Sequence, residues 1–97
     1  DPWIRRSALL RHLRPLREGR GDLAAFGAVA DPLLADREFF VRKATGWVLR
    51  DASRRNPDAV AAWIEPRAPR MSALTFREAT RRLPEADRER LRLMRQG

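Results

Sequence analysis

The sequence predicts an all-α fold, and three observations support this prediction. Apolar residues recur at spacings of three and four through most of the chain, which is the period of an amphipathic helix. No segment alternates apolar and polar residues over the length of a strand, and β-branched residues are few. Two helical segments are also alike at a fixed offset, which is typical of helical repeats. We therefore expect about five to six helices and no β-sheet.

The first two helices are expected to begin at aspartate caps. Asp1 precedes Pro2, a residue that suits the first turn of a helix, and the apolar spacing predicts a helix over about 2–14. Asp22 follows a glycine-rich turn and is the expected cap of a second helix over about 22–34. An Asp-Pro step interrupts its pattern, so this second helix should kink or restart near its end.

A central helix is predicted over 36–56, with Asp36 as its cap and a single interior glycine, Gly46. One side of this helix carries apolar or small residues: Val41, Ala44, Thr45, Val48 and Ala52. The opposite side carries three cations and a tryptophan: Lys43, Trp47, Arg50 and Arg54. The apolar side needs a partner layer. A tryptophan among cations suits a polyanion better than a protein core.

The remaining helices are predicted from prolines and one capping pattern. A fourth helix is expected to begin at Pro57 and to end before Pro66. Thr75 and Glu78 fit a capping box, which predicts a fifth helix that starts directly after Thr75. The last segment, from Pro84, has few apolar residues among many charges, so we expect it to fray.

The helices also repeat. Residues 3–10 and 40–47 both read aromatic, aliphatic, arginine, cation and then small residues, at an offset of 40 − 3 = 37 positions. A helix pair that recurs about every 40 residues is the period of a HEAT-like array. We therefore predict a fragment of a HEAT-like α-solenoid, with one repeat at about 1–35, a second at about 36–65 and capping helices at about 72–97.

Charge and composition narrow the class of partner. The 97 residues include 21 cationic and 13 acidic side chains, a net charge of +8 that favours nucleic acid or another polyanion. The chain has no cysteine, which excludes disulfides and thiolate metal sites. No apolar run approaches the roughly 20 residues of a membrane span. Binding to a membrane surface is disfavoured because the cationic side of the central helix lies opposite a stripe needed for packing. The default expectation is a cytoplasmic protein.

Four sequence blocks together resemble the C-terminal part of the AlkD-type DNA alkylation repair proteins. The first is FFVRKATGWVLR at 39–50, and it is followed by NPDAV at 56–60 and LTFREA at 74–79. The opening block, WIRRSA at 3–8, is similar to the preceding repeat of that family. The resemblance covers most of 1–83 and keeps the order and spacing of the blocks. It implies a HEAT-like DNA glycosylase that releases cationic N3- or N7-alkylated purines from duplex DNA.

The resemblance also implies roles for two residues. Trp47 corresponds to the tryptophan of the family's Lys-Ala-x-Gly-Trp block and Arg6 to the second arginine of its Trp-x-x-Arg block. In the family both of these residues face the DNA at the lesion. Positive charge develops on the deoxyribose as a cationic base leaves, and an aromatic face beside the sugar would stabilise it. Arg6 would contact a phosphate, and Lys43, Arg50 and Arg54 would add nucleic-acid contacts. The resemblance implies action without flipping the base, whereas most enzymes that act on a DNA base first flip it out of the duplex.

One departure from the family concerns catalysis. The catalytic aspartate implied by the resemblance lies in a helix pair upstream of the block at Trp3, whereas this sequence starts at Asp1. We therefore expect a piece of a longer chain that binds DNA better than it cleaves the glycosidic bond. Asp36, Asp51 and Asp58 do not occupy the place of that aspartate. We expect no cofactor, no metal and a monomer. The alternative is a non-catalytic HEAT-type module that binds nucleic acid or protein.

Other candidates have structural interpretations. Trp47 could pack at the rim of the core, although its cationic neighbours favour a DNA-facing position. Arg6 could be an ordinary surface cation if the resemblance is set aside. His12 lacks a carboxylate or serine partner at a useful spacing, which indicates a structural role. Packing between helices is expected of three aromatic residues: Trp3, Phe40 and Trp63. Two arginine groups, at 77–82 and 88–95, are expected to lie on solvated helix faces. There they would add nonspecific attraction to phosphates.

Overall fold

The computed structural model describes residues 1–96 and contains seven α-helices. They are α1 (Pro2–Leu10), α2 (Leu13–Arg17), α3 (Leu23–Ala30), α4 (Phe39–Ala52), α5 (Pro57–Ile64), α6 (Ala73–Thr80) and α7 (Glu85–Gln96). Two short 3-10 helices, Asp31–Leu33 and Ala68–Arg70, follow α3 and α5. No strand occurs in the part of the chain that the structure describes, so the all-α prediction is confirmed.

The helices form two rows. In one row α4 lies between α1 and α6, and in the other α5 lies between α3 and α7. The Cα positions extend over 34 × 29 × 18 Å, and the shortest of these dimensions accommodates two helix layers. The HEAT-like solenoid and the repeat boundaries at 1–35, 36–65 and 72–97 stay predictions.

Helix α4 buries the stripe that the sequence predicts. Its apolar and small residues are all buried: Val41, Ala44, Thr45, Val48 and Ala52. The helix is shorter than the predicted 36–56 at both ends, since Glu38 and not Asp36 precedes it and a turn over 53–55 follows Ala52. The Asp36 carboxylate instead accepts a hydrogen bond from the Glu38 N–H at 2.8 Å and pairs with Arg5 Nε at 2.7 Å. Asp36 therefore fixes the turn before α4 and joins it to α1.

The capping box predicted at Thr75 and Glu78 is wrong. Ser72 caps α6, with its hydroxyl oxygen accepting from the Thr75 N–H at 3.1 Å. Thr75 lies within the helix and is buried, and its hydroxyl donates to the Arg42 carbonyl oxygen of α4 at 3.2 Å. The serine two residues before Leu74 satisfies the free amide, which leaves the threonine and the glutamate to make contacts with α4.

Gly46 permits the close approach of α6 to α4. A Cβ atom at Gly46 would lie 2.6 Å from Glu78 Cβ and 3.1 Å from the Thr75 carbonyl oxygen. The first distance is shorter than carbon atoms can tolerate, and the atom met is next to the backbone of α6. The glycine in the interior of α4 thus sets the separation of the two helices, at the cost of lower helix propensity.

The two ends of the chain differ from prediction. A turn at Arg11 and His12 divides the predicted helix 2–14 into α1 and α2. His12 packs edge to face on buried Phe26 with ring centroids 5.6 Å apart, which supports its structural interpretation. At the other end α7 is helical to Gln96 where we expected fraying, and Leu91 within it is fully buried.

A contact in the second row joins the segments that follow α3 and α5. Arg67 Nε donates to Asp31 Oδ1 at 2.6 Å, and the Arg67 guanidinium lies 4.0 Å from the centre of the Trp63 ring. The hydrogen bond and charge of Arg67 lower the pKa of the Asp31 carboxyl. Trp63 is buried and packs against Phe26, so the prediction that it is a packing residue is confirmed.

Candidate nucleic-acid interface

A pocket on the first row brings together three of the five predicted site residues. Arg6 of α1 and both Lys43 and Trp47 of α4 line this pocket, which has a volume of about 250 Å³. The other lining residues are Phe39, Phe40 and Ala44. The Trp47 side chain is 38% exposed, so part of its ring is available to a ligand. We refer to this cavity as the Trp47 pocket.

Aromatic stacking between α1 and α4 positions Arg6. The Trp3 and Phe40 rings stack with centroids 5.6 Å apart and an angle of 22° between their planes. The Arg6 guanidinium carbon lies 5.7 Å from the centre of the Trp3 ring. Trp3 and Phe40 occupy equivalent positions in the predicted repeat. Their contact joins the two helices and holds Arg6 on the side of Trp47.

Glu78 of α6 is a residue of this surface that the sequence interpretation missed. Its Oε1 lies 3.6 Å from Lys43 Nζ and its Oε2 lies 3.3 Å from Arg50 Nη1. One carboxylate is therefore shared by two of the cations predicted to bind nucleic acid. The Glu78 side chain is only 13% exposed, so water screens these ion pairs less than it screens surface pairs. Gly46 is the sequence signal for this contact, because an interior glycine often marks a close helix approach.

Arg54 lies apart from the Trp47 pocket. It follows the end of α4 and lines a shallow pocket with Arg17, Asp51 and Arg55. Arg17 Nε donates to Asp51 Oδ2 at 2.9 Å, and this hydrogen bond together with the charge of Asp51 raises the pKa of Arg17. The cationic side predicted for α4 is therefore divided, with Lys43 at Trp47, Arg50 held by Glu78, and Arg54 beside a paired carboxylate.

The chemistry of the Trp47 pocket is that of an aromatic and cationic surface. No carboxylate is among the described residues that line it. Two cations can bind phosphate oxygens, and the indole face can contact a sugar or a base. Residues 1–96 contain no group of three or more side chains able to hold a metal ion. Among the same residues, no helix is both long and apolar enough to cross a membrane.

Comparison with known families shows which family the chain resembles over most of its length. The family model described as DNA alkylation repair enzyme matches residues 1–83. These residues include α1 to α6 and all of the Trp47 pocket, and they end before α7. No curated protein and no solved structure matches the chain significantly.

Proposed function

Because the chain belongs to the DNA alkylation repair enzyme family, we propose that it supplies the lesion-contacting surface of a DNA glycosylase specific for cationic alkylated purines. The observation that carries this proposal is the Trp47 pocket. An exposed indole and the cations Arg6 and Lys43 converge there from two helices. A nucleic acid offers the complementary groups, a sugar and base beside two or more phosphates.

The proposed reaction is hydrolysis of the N-glycosidic bond. The bond between C1′ and the purine breaks, and the cationic purine leaves as a neutral base with the bonding electron pair. Positive charge then develops on the deoxyribose, water adds its oxygen to C1′, and one proton is released. The electron-rich face of Trp47 would stabilise the charge on the sugar. Arg6 and Lys43 would hold the flanking phosphates so that the sugar stays against the indole.

The resemblance implies a catalytic aspartate, and in the family that aspartate belongs to a helix pair before the block that corresponds to Trp3. The proposal therefore assigns DNA binding and stabilisation of charge by the indole face to residues 1–97, and not the role of that aspartate. Glu78 is not a substitute in this proposal, since both of its oxygens face cations.

The test is release of free base from alkylated duplex DNA. We expect the full-length protein to release 7-methylguanine or 3-methyladenine, and we expect residues 1–97 alone to bind the duplex and release much less. The released bases are measured by chromatography. In the control, heat-inactivated protein is added to the same DNA, so that spontaneous depurination alone sets the background. Release no faster than that background by the full-length protein would overturn the proposed activity.

A second candidate is a non-catalytic DNA-binding module. The described lining of the Trp47 pocket, with two cations, aromatic rings and no carboxylate, supplies groups for binding and fits this function as well as the first. Duplex binding that depends on Trp47, without any base release by the full-length protein, would identify this function instead.

The ion pairs of Glu78 lead to a prediction about affinity. Glu78→Gln removes the carboxylate shared by Lys43 and Arg50 and leaves both cations available to phosphates. We expect affinity for duplex DNA to rise about threefold at about 0.1 M salt, with a steeper dependence on salt concentration. The free energy of unfolding should fall by about 1 kcal/mol. Fluorescence anisotropy with a labelled duplex measures the first effect and thermal unfolding the second.

Glu65→Gln is the matched control for this variant. It removes the same charge from the C-terminal end of α5, where Glu65 pairs with Arg90 at 2.8 Å. Equal gains in DNA affinity from the two variants would mean that net charge alone matters, and that Glu78 does not restrain the cations of α4.

A further inference from the structure

A second pocket, larger than the Trp47 pocket, lies between α6 and α7. Its volume is about 600 Å³, and five arginines line it. Arg77 belongs to α6 and Arg81 directly follows it. The other three belong to α7: Arg88, Arg92 and Arg95. From the sequence, these residues are predicted to form two separate solvated helix faces. In the structure, both groups line the same pocket. We call this cavity the arginine pocket.

Several of these arginines lack a carboxylate. Within residues 1–96, no ion pair involves Arg77, Arg81 or Arg88. Arg92 pairs with Glu89 at 2.7 Å, and Arg95 Nε donates to the Met71 carbonyl oxygen at 3.2 Å. The pocket therefore carries an excess of positive charge.

Arg88 gives the sharper indication of a ligand. Its Nε is buried and has no hydrogen-bond acceptor among the described residues. A buried donor of a charged group without an acceptor is costly, which makes such groups uncommon in folded proteins. An anion seated in the pocket would supply the missing acceptor. A guanidinium binds the oxygens of phosphate in a planar, two-bond geometry, so a phosphate fits this set of residues.

Glu78 connects the arginine pocket with the Trp47 pocket. It lines the arginine pocket, and its Oε1 lies 3.6 Å from Lys43 Nζ, which lines the Trp47 pocket. The carboxylate does not neutralise the arginines alone, because Lys43 and Arg50 already share it. The two basic pockets are therefore neighbours on adjacent helices, separated by one side chain.

We infer that the arginine pocket binds a backbone phosphate of the same DNA duplex that the Trp47 pocket contacts. This inference rests on the proposed DNA-binding function and extends the interface to α7, which lies beyond the residues that match the family. The phosphate flanks the lesion on the side of α6. Its contacts are independent of base sequence, and they fix the position of the duplex on the protein.

The test compares two neighbouring arginines in the full-length protein. Arg81 lines the pocket, whereas Arg82 is also exposed but does not line it. Affinity for an undamaged labelled duplex is measured from about 50 to 300 mM salt for the wild type, the double variant R77Q/R81Q and R82Q. The binding constant falls as salt rises, and each lost phosphate contact should reduce the steepness of log K against log salt by about 0.9. We expect R77Q/R81Q to bind about three- to tenfold more weakly at about 0.1 M salt, with a slope smaller by about one, and R82Q to bind within about twofold of wild type.

A variant of the buried donor provides an independent measurement. Arg88→Lys keeps the charge and removes Nε, so we expect weaker duplex binding with little change in melting temperature. Inorganic phosphate, added at constant ionic strength, should weaken DNA binding by the wild type more than by R77Q/R81Q.

Three results would overturn the inference. They are an unchanged salt slope in R77Q/R81Q, an equal loss in R82Q, and saturable binding of inorganic phosphate to the pocket without any effect of the variants on DNA. The proposed glycosylase activity fails separately, by the absence of base release. A protein that shows the slope change but releases no base would keep the phosphate site and lose the enzymatic function.

Discussion

Replacing Gly46 by valine is expected to lower the free energy of unfolding by about 2–4 kcal/mol, one of the two largest effects we predict. The new side chain would begin with a Cβ 2.6 Å from Glu78 Cβ, so α6 would have to move away from α4. A domain of this size is stabilised by only about 5–10 kcal/mol. The melting temperature, followed by circular dichroism, should therefore fall by more than about 10 °C.

Two further variants separate the contact from the helix propensity. Gly46→Ala introduces the same first atom but gains about 1 kcal/mol of helix propensity, so its loss should be smaller than that of valine. Ala62→Val adds a branched side chain at an exposed position of α5 and should change stability by less than about 1 kcal/mol. If Gly46→Val had the same melting temperature as Ala62→Val, the inference that α6 approaches Gly46 closely would be wrong.

Replacing Trp47 by alanine should reduce base release by the full-length protein about 10- to 100-fold and leave the melting temperature nearly unchanged. The loss of one aromatic contact to a nucleotide costs about 1–3 kcal/mol, and each 1.4 kcal/mol corresponds to a tenfold change in rate. The ring is 38% exposed, so its removal opens no large cavity in the core. Single-turnover release of 7-methylguanine measures the effect.

Trp47→Phe is the control for this variant, because it keeps an aromatic face and should retain most of the activity. Arg6→Ala should weaken duplex binding and lower its salt dependence, since it removes a cation from the same pocket. Unchanged affinity and unchanged release in both alanine variants would place the DNA elsewhere on the protein.

Periodicity predicted the inner side of the fold well and for a clear reason. The stripe from Val41 to Ala52 is buried because a period of 3.6 residues decides which side of a helix can face a core. The caps were less predictable, because more than one hydroxyl side chain near a helix start can act as the cap. Ser72 and Thr75 are three positions apart, and only the packing of Thr75 against α4 decides between them.

The candidate surface depends on contacts between helices, which sequence spacing describes only in part. Trp47 and Lys43 are one turn apart on α4, so their proximity could be predicted. Arg6 required the resemblance to a family, because its place beside Trp47 depends on how α1 packs on α4. Glu78 and the arginine pocket were missed, since spacing within α6 or α7 shows one face of each helix and not which faces meet.

The shared carboxylate of Glu78 also bears on the time that a bound duplex stays on the protein. For a protein that binds DNA through this face, each phosphate near Lys43 or Arg50 competes with an acceptor that is permanently present. Such competition shortens every encounter with undamaged DNA by raising the dissociation rate. A protein that bound undamaged DNA tightly would search for lesions slowly. The Glu78 carboxylate, by competing with phosphates, therefore favours a rapid search over a long residence time on undamaged DNA.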